Sequence, residues 1–368
     1  MKHHINKKLF ATMAGLMIAA PFAAQAADGG TTLYGQARIS VDSADNGAER
    51  VTRVANRDTN LGVKGFENLG NGLKAIFQFE TQVDLDDGGA SSGTLFSSGR
   101  SSYVGLVSEF GTVALGVIDS PHRESTDKID VFSNSLADHN TIIGNVGNGN
   151  TGAEFNRREP NTINYWSPKF NGFQVKGQVR VDEVAGVDRN RYSVAGLYEN
   201  GPWYAALAYE IHGKEGTPVD PDGKGPLPAA GTNDTAGFKF GVAYAFNEEK
   251  TRVGFIYDRI SEDDADSRFD RNAYYVNLSH KLDNNVFKVG YARAEESDAA
   301  VGDDGADFYF LGLSHALSKR TEIFGLYAAT NNEDNGRFGL GNSTNGNIAA
   351  SAPGADLDGF SLGVTHKF

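Results

Sequence analysis

The sequence has no cysteine, so disulfides and thiolate metal sites are both excluded from its chemistry. Long apolar runs are almost as scarce. Beyond the first 26 residues no segment stays apolar for the roughly 18 residues that a membrane-spanning helix needs, and entry into a bilayer would have to be made by strands. Basic charge is also in short supply: 34 Lys and Arg stand against 47 Asp and Glu, a formal net charge of −13. A chain this acidic lacks the basic stripe that phosphate contacts require, which excludes nucleic acid as a partner.

What is present begins with residues 1–26. Lys2, Lys7 and Lys8 form a positive head, Leu9 to Ala24 an apolar centre and Ala24-Gln25-Ala26 a small-residue cleavage site, the pattern of a secretory signal peptide that is removed. A permanent anchor would need a longer apolar centre. The mature chain, 27–368, is expected to form one domain, and it is more acidic still because three lysines and no acid leave with the signal. Many acids sit in connectors, Asp84 to Asp87, Glu262 to Asp266 and Glu295 to Asp307, where solvated loops account for them.

Roughly sixteen segments carry apolar residues at every second position, the period of a strand with two unlike faces. The clearest are 31–43, 73–84, 237–246, 272–282, 286–294, 307–317 and 358–368. Weaker candidates are 60–66, 100–108, 112–118, 161–167, 173–182, 191–199, 203–211, 252–260 and 321–330, the last with no settled register because its apolar residues fall on both faces. Short connectors rich in turn formers, such as Asn68 to Gly72, Asn200-Gly201-Pro202 and Asp283-Asn284-Asn285, alternate with long ones near 44–59, 85–99, 119–160, 183–190, 212–235, 261–271, 295–306 and 331–357. An even strand count puts both termini on the short-turn side. A bilayer offers no partners to backbone groups, so strands cross it only when closed on themselves. The pattern predicts an all-β fold: an antiparallel transmembrane β-barrel with short turns at one face and long loops at the other.

The two faces can be assigned. In the first strand Tyr34, Gln36, Arg38, Ser40 and Asp42 alternate with Leu33, Gly35, Ala37, Ile39 and Val41; in the third, Lys74, Gln78, Glu80, Gln82 and Asp84 alternate with Phe77, Phe79 and Val83. The polar sets, Gln78 and Glu80 among them, are expected to face a wet lumen. Low mean hydropathy, −0.39, beside 45 glycines and 11% aromatics fits such alternation. A soluble β-sandwich alternates similarly, but it needs neither signal peptide, nor unequal connectors, nor a terminal Phe. Tyr244, His280, His315, His366 and Phe368 lie at short-turn ends on the apolar face and predict an aromatic girdle at the bilayer interface. Three histidines invite a metal reading, but they would point outward from different strands, and no metal or other cofactor is expected.

Several segments then become recognisable: Thr32-Leu33-Tyr34-Gly35, Leu61-Gly62-Val63-Lys64-Gly65, Leu69-Gly70-Asn71-Gly72-Leu73-Lys74-Ala75, Tyr103-Val104-Gly105-Leu106, Phe110-Gly111-Thr112-Val113, Asn161 to Phe170, and the tail Gly363 to Phe368. In this order, over nearly the whole mature chain, they resemble the general diffusion porins of Gram-negative bacteria, especially the Neisseria/Comamonas-type branch. The resemblance implies a 16-stranded barrel with periplasmic turns and extracellular loops, a homotrimer in the outer membrane among its lipids, and a long third loop folded into the lumen. It also implies passive diffusion of small hydrophilic solutes and ions, and a terminal Phe368 read by assembly machinery. The connector from Asp119 to Pro160 is much the longest, as an inward loop requires.

By position in the family pattern, Arg38, Lys64, Lys74 and Arg100 would form a basic wall at the pore constriction, faced by Asp119, Glu124, Asp127 and Asp130 from the third loop. Charges held so in low-dielectric surroundings select solutes by size and sign. One position departs from the branch: Ala114 stands where relatives often carry a base after Phe-Gly-Thr-Val. The sign of selectivity is therefore open. A second function, a non-conducting barrel displaying acidic loops as an adhesin or envelope anchor, would lack an open lumen, and a substrate-specific channel lies between the two. An enzyme would need a nucleophile beside His122, His139 or His212, and none is marked. Gly147, Gly149 and Gly152 match GxGxxG by count only, without strand or helix around them, and Asp84, Asp86, Asp87 and Gly88 lack the later acid of a calcium loop, Leu95 taking its place.

Overall fold

The computed structural model describes residues 29–88, 95–97, 99–145, 155–183, 190–213, 234–262, 270–298, 302–341 and 346–368. The expected signal peptide and Gly147, Gly149 and Gly152 lie outside the described residues.

Tight turns and period-two alternation place the strands. β1 (Gly29–Asp45) is followed by β2, which runs as Arg50–Asn56 and Asn60–Gly70, then β3 (Leu73–Val83), β4 (Phe96–Ser97 continued by Ser102–Ser108) and β5 (Gly111–Asp119). Next come β6 (Arg158–Trp166), β7 (Phe173–Arg180), β8 (Arg191–Asn200), β9 (Trp203–His212), β10 (Thr235–Phe246) and β11 (Thr251–Glu262). The chain ends with β12 (Arg271–Leu282), β13 (Asn285–Ala294), β14 (Ala306–Ala316), β15 (Thr321–Asn332) and β16 (Leu357–Lys367). Each strand pairs antiparallel with the next, and β16 returns to β1 from Gln36 opposite Lys367 to Asp45 opposite Asp358. The sheet is a closed 16-stranded barrel with no free edge. Asn71 and Gly72, both at positive φ, make the β2–β3 turn, the pairing that matches the twist of a two-residue hairpin.

The faces are as the alternation requires. Ser40 and Asp42 are buried toward the inside while Leu33, Leu207, Leu311 and Leu362 stand 52–69% exposed on the outside. Oily outside and polar inside is the arrangement of a barrel in lipid.

Three expectations need correction. The first connector is not long: β1 pairs with β2 as far as Asp45 opposite Arg50, which leaves a tight turn closed by Asn46 N donating to Glu49 O, 3.2 Å. The irregular residues within the expected 44–59 loop are Arg57, Asp58 and Thr59, where β2 gains one residue on β1, a bulge. His212 is the last residue of β9 rather than a loop residue. The unsettled 321–330 segment has a single register, with Gly325 opposite Leu313 and Leu362. Its inner face is apolar, Phe324, Leu326 and Ala328, because the third loop packs on it.

That loop, residues 120–157, opens with a short helix, α1 (Pro121–Glu124), capped by Ser120 Oγ accepting from Arg123 N. Its Ile129, Phe132, Leu136, Ile142 and Ile143, 0–4% exposed, cluster with Tyr204, Ile256, Tyr275, Phe308, Phe310 and Ala328 on the inner wall. Apolar burial inside a polar bore holds the loop against one side of the lumen.

Candidate channel lining and constriction

The bulge in β2 organises the wall facing the loop. Arg57 is fully buried and ion-paired with Asp42, with Nε donating to Ser40 Oγ at 3.1 Å. Asp58, at φ 68°, turns its carboxylate into the lumen. It accepts from Gln36 Nε2 (3.2 Å) and from loop residue Asn134 Nδ2 (3.2 Å), and it pairs with Arg100. Arg100 Nε also reaches Glu80 Oε1 at 2.6 Å, and Tyr34 Oη donates to Glu80 Oε2 at 2.9 Å. Arg100 is thus shared between two carboxylates, Asp58 and Glu80. Gln78 Nε2 donates to Ser101 O at 3.3 Å.

The other three predicted bases differ. Arg38 Nη1 donates to the loop carbonyl of Ser133 at 2.8 Å, and its guanidinium lies 5.0 Å from the Phe324 ring centre. Lys64 lies over Tyr34 at 4.8 Å and Lys74 over Phe66 at 5.9 Å, both exposed. Lys74 stands beside the β2–β3 turn, at the rim rather than level with the loop. Among the described residues none of the three has a carboxylate within ion-pair distance.

The acids are mostly answered by bases the sequence reading missed. Asp119 lies 3.0 Å from Arg123 Nε and 3.2 Å from Arg158 Nε, and Glu124 2.6 Å from Lys176 Nζ. Burial raises the Glu124 carboxyl above its usual range while Lys176 opposes the shift. Asp127 is exposed, and Asp130, which lines one cavity with Arg38, gives its carboxylate contacts to Tyr275 and His139. Arg123 and Arg158 were findable, since they flank the two ends of the loop, but only the loop's path brings both to Asp119. Ala114, 0% exposed, offers no charge.

The girdle residues lie at short-turn ends. Tyr244 packs on Trp203 at 4.5 Å, and the Nδ1 atoms of His280, His315 and His366 meet Thr251, Asn285 and Thr321 side chains at 2.8–2.9 Å. Phe368, 47% exposed, exchanges backbone hydrogen bonds with Gly35.

Comparison with known proteins decides between a porin barrel and a soluble sandwich. Residues 11–335 match the family model described as Gram-negative porin. The chain belongs to the Gram-negative porin family. It is 28% identical to outer membrane porin protein 32 of Delftia acidovorans, over 97% of this chain and 99% of that one. Major outer membrane protein P.IB of Neisseria gonorrhoeae is 26% identical, over 86% and 91% of the two chains. Among solved structures, the anion-selective porin from Comamonas acidovorans superposes with TM-score 0.78 at 26% identity, covering 93% of this chain and 100% of that one. This porin is an outer-membrane channel for passive diffusion of small hydrophilic solutes, and its polar bore narrowed by an inward loop is the geometry such a channel needs.

Proposed function

We propose that this porin prefers anions, that Arg38 acts at its constriction beside an ion-paired framework in which Arg100 is shared between Asp58 and Glu80, and that it works as a homotrimer. The observation that carries the preference is an imbalance of compensation. Of the four predicted acids, Asp119 and Glu124 each have a cationic partner in contact and Asp130 is turned to His139, which leaves Asp127, whereas Arg38, Lys64 and Lys74 all lack a carboxylate in contact among the described residues. Uncompensated charge in a low-dielectric bore sets the local potential even when the net charge of the chain is opposite. The structural relative titled anion-selective supports the same sign. No catalysis is assigned: His122, His139 and His212 are buried against backbone, carboxylate or ring partners. The girdle would seat the barrel among outer-membrane lipids, Phe368 would serve as the tail read by assembly machinery, and residues 1–26 would be the cleaved export signal.

Planar-bilayer recording tests the sign. In a salt gradient the wild-type reversal potential should report anion preference, and Arg38→Gln with Lys64→Gln and Lys74→Gln should move it toward cations. An unmoved potential removes these three residues from the selectivity of the pore, and stepless silence would favour the non-conducting alternative.

A further inference from the structure

Within the inward loop, Asp130, Asp138 and His139 turn three potential ligand atoms toward one point, all within 4.8 Å of one another. Their side chains are 0%, 1% and 3% exposed. His139 Nδ1 lies 3.1 Å from Asp130 Oδ2 and 3.8 Å from Asp138 Oδ1. Neither ring nitrogen of His139, nor Asp130 Oδ2, makes a hydrogen bond of acceptable geometry among the described residues. A buried imidazole left in that condition calls for an explanation, because buried polar groups are otherwise satisfied almost without exception.

The two carboxylates are held from behind by hydrogen bonds, as ligating carboxylates are. Asp130 Oδ1 accepts from Phe132 N at 2.9 Å and from Tyr275 Oη at 3.0 Å, which leaves Oδ2 aimed inward. Asp138 is fixed by Asn134 N and Asn140 N, at 2.7 and 2.9 Å. The His139 ring stacks on Tyr275, centres 5.1 Å apart and planes at 27°. Tyr275 thus orients two of the three, an outer-shell role. An ion bound tetrahedrally by nitrogen and oxygen at about 2.0–2.1 Å keeps its ligands about 3.3 Å apart, and the two measured separations bracket that value.

We propose that Asp130, Asp138 and His139 form a binding site for a divalent transition-metal ion of the zinc class. One imidazole and two carboxylates suit such borderline ions, while calcium and magnesium ask for six or more oxygens. The fourth position would go to water from the cavity of about 170 Å³ between loop and wall, which Asp130 lines with Arg38, Ser133, Lys288 and Glu322. A bound ion would tie the loop across the bend between residues 130 and 138. This site stands apart from the proposed anion preference, which can fail without affecting it.

Zinc chloride titrated calorimetrically into the folded protein in detergent at neutral pH should reveal one site per chain. His139→Gln and Asp130→Asn should each weaken it by roughly tenfold or more, and replacing His280, His315 and His366 together should leave it in place. Isotherms unchanged in His139→Gln would overturn the proposal, as would loss of binding in the triple variant alone. Crystals of the wild type soaked in zinc chloride give an answer that needs no variant to fold. Anomalous density among the three side chains supports the site. Density confined to girdle histidines, or none, leaves His139 and Asp130 as a buried ion pair and sinks it.

Discussion

His122, at the root of the inward loop, is a buried histidine that the fold keeps neutral. It is fully enclosed, with Nδ1 2.8 Å from Phe155 O and Nε2 3.6 Å from Asp258 Oδ1, and the Lys239 amine donates to its backbone carbonyl at 3.4 Å. Glu210 and His212 complete the surroundings. Burial, and then the Lys239 charge, lower its pKa to about 3. Because the unfolded chain takes up the proton near pH 6.5, the stabilisation tied to neutral His122 is whole above that pH. It is lost as pH falls toward the folded value, by about 1.4 kcal/mol per unit. His122→Gln, which cannot titrate, should therefore show a shallower loss of thermal stability between about pH 6 and pH 4 than wild type, followed by circular dichroism in detergent. Parallel acid limbs would mean that His122 is protonated in the fold.

At the scale of the element, the inward loop is seated by sockets in the wall. A Cβ added to Gly312 would lie 2.8 Å from Phe132 Cε1, and one added to Gly241 or Gly254 would strike Ile129 at 2.4 or 2.7 Å. Phe132 also stacks on Phe310, ring centres 5.4 Å apart. Phe132→Ala should weaken docking by about 3 kcal/mol, at the low end for a buried Phe. Single-channel records should then show larger open-state current fluctuations with the strand content unchanged, and an equally quiet channel would show that Phe132 does not hold the loop. The strands were legible because lipid on one side and water on the other impose period two along every staff of the barrel. The loop's anchorage was not. Phe324, Leu326 and Ala328 break the period because they face Phe132 and its neighbours, and Asp58, Arg123 and Arg158 find their partners only through a bulge and a loop path that spacing does not encode. Asp130 does share a cavity with Arg38, but spacing does not reveal that Tyr275 and His139 hold its carboxylate.

For the whole molecule, everything depends on one seam. The barrel has no edge only because β16 finds β1, and the last contact of that ladder is Phe368 N donating to Gly35 O at 3.1 Å while Gly35 N donates to Phe368 O at 3.2 Å. The Phe368 ring covers Gly35 so closely that a Cβ there would fall 2.6 Å from Cζ, and 2.5 Å from the Asn60 carbonyl on the neighbouring strand. An open seam would expose unpaired backbone to lipid, at several kcal/mol per group. Deleting Phe368 should thus lower the amount of folded, heat-resistant barrel recovered from outer membranes. Gly35→Val should lower it too, although the tail is intact. A defect from the deletion alone would place the importance of Phe368 in its reading by assembly machinery, and normal yields of both variants would show that the final pair is dispensable for closure.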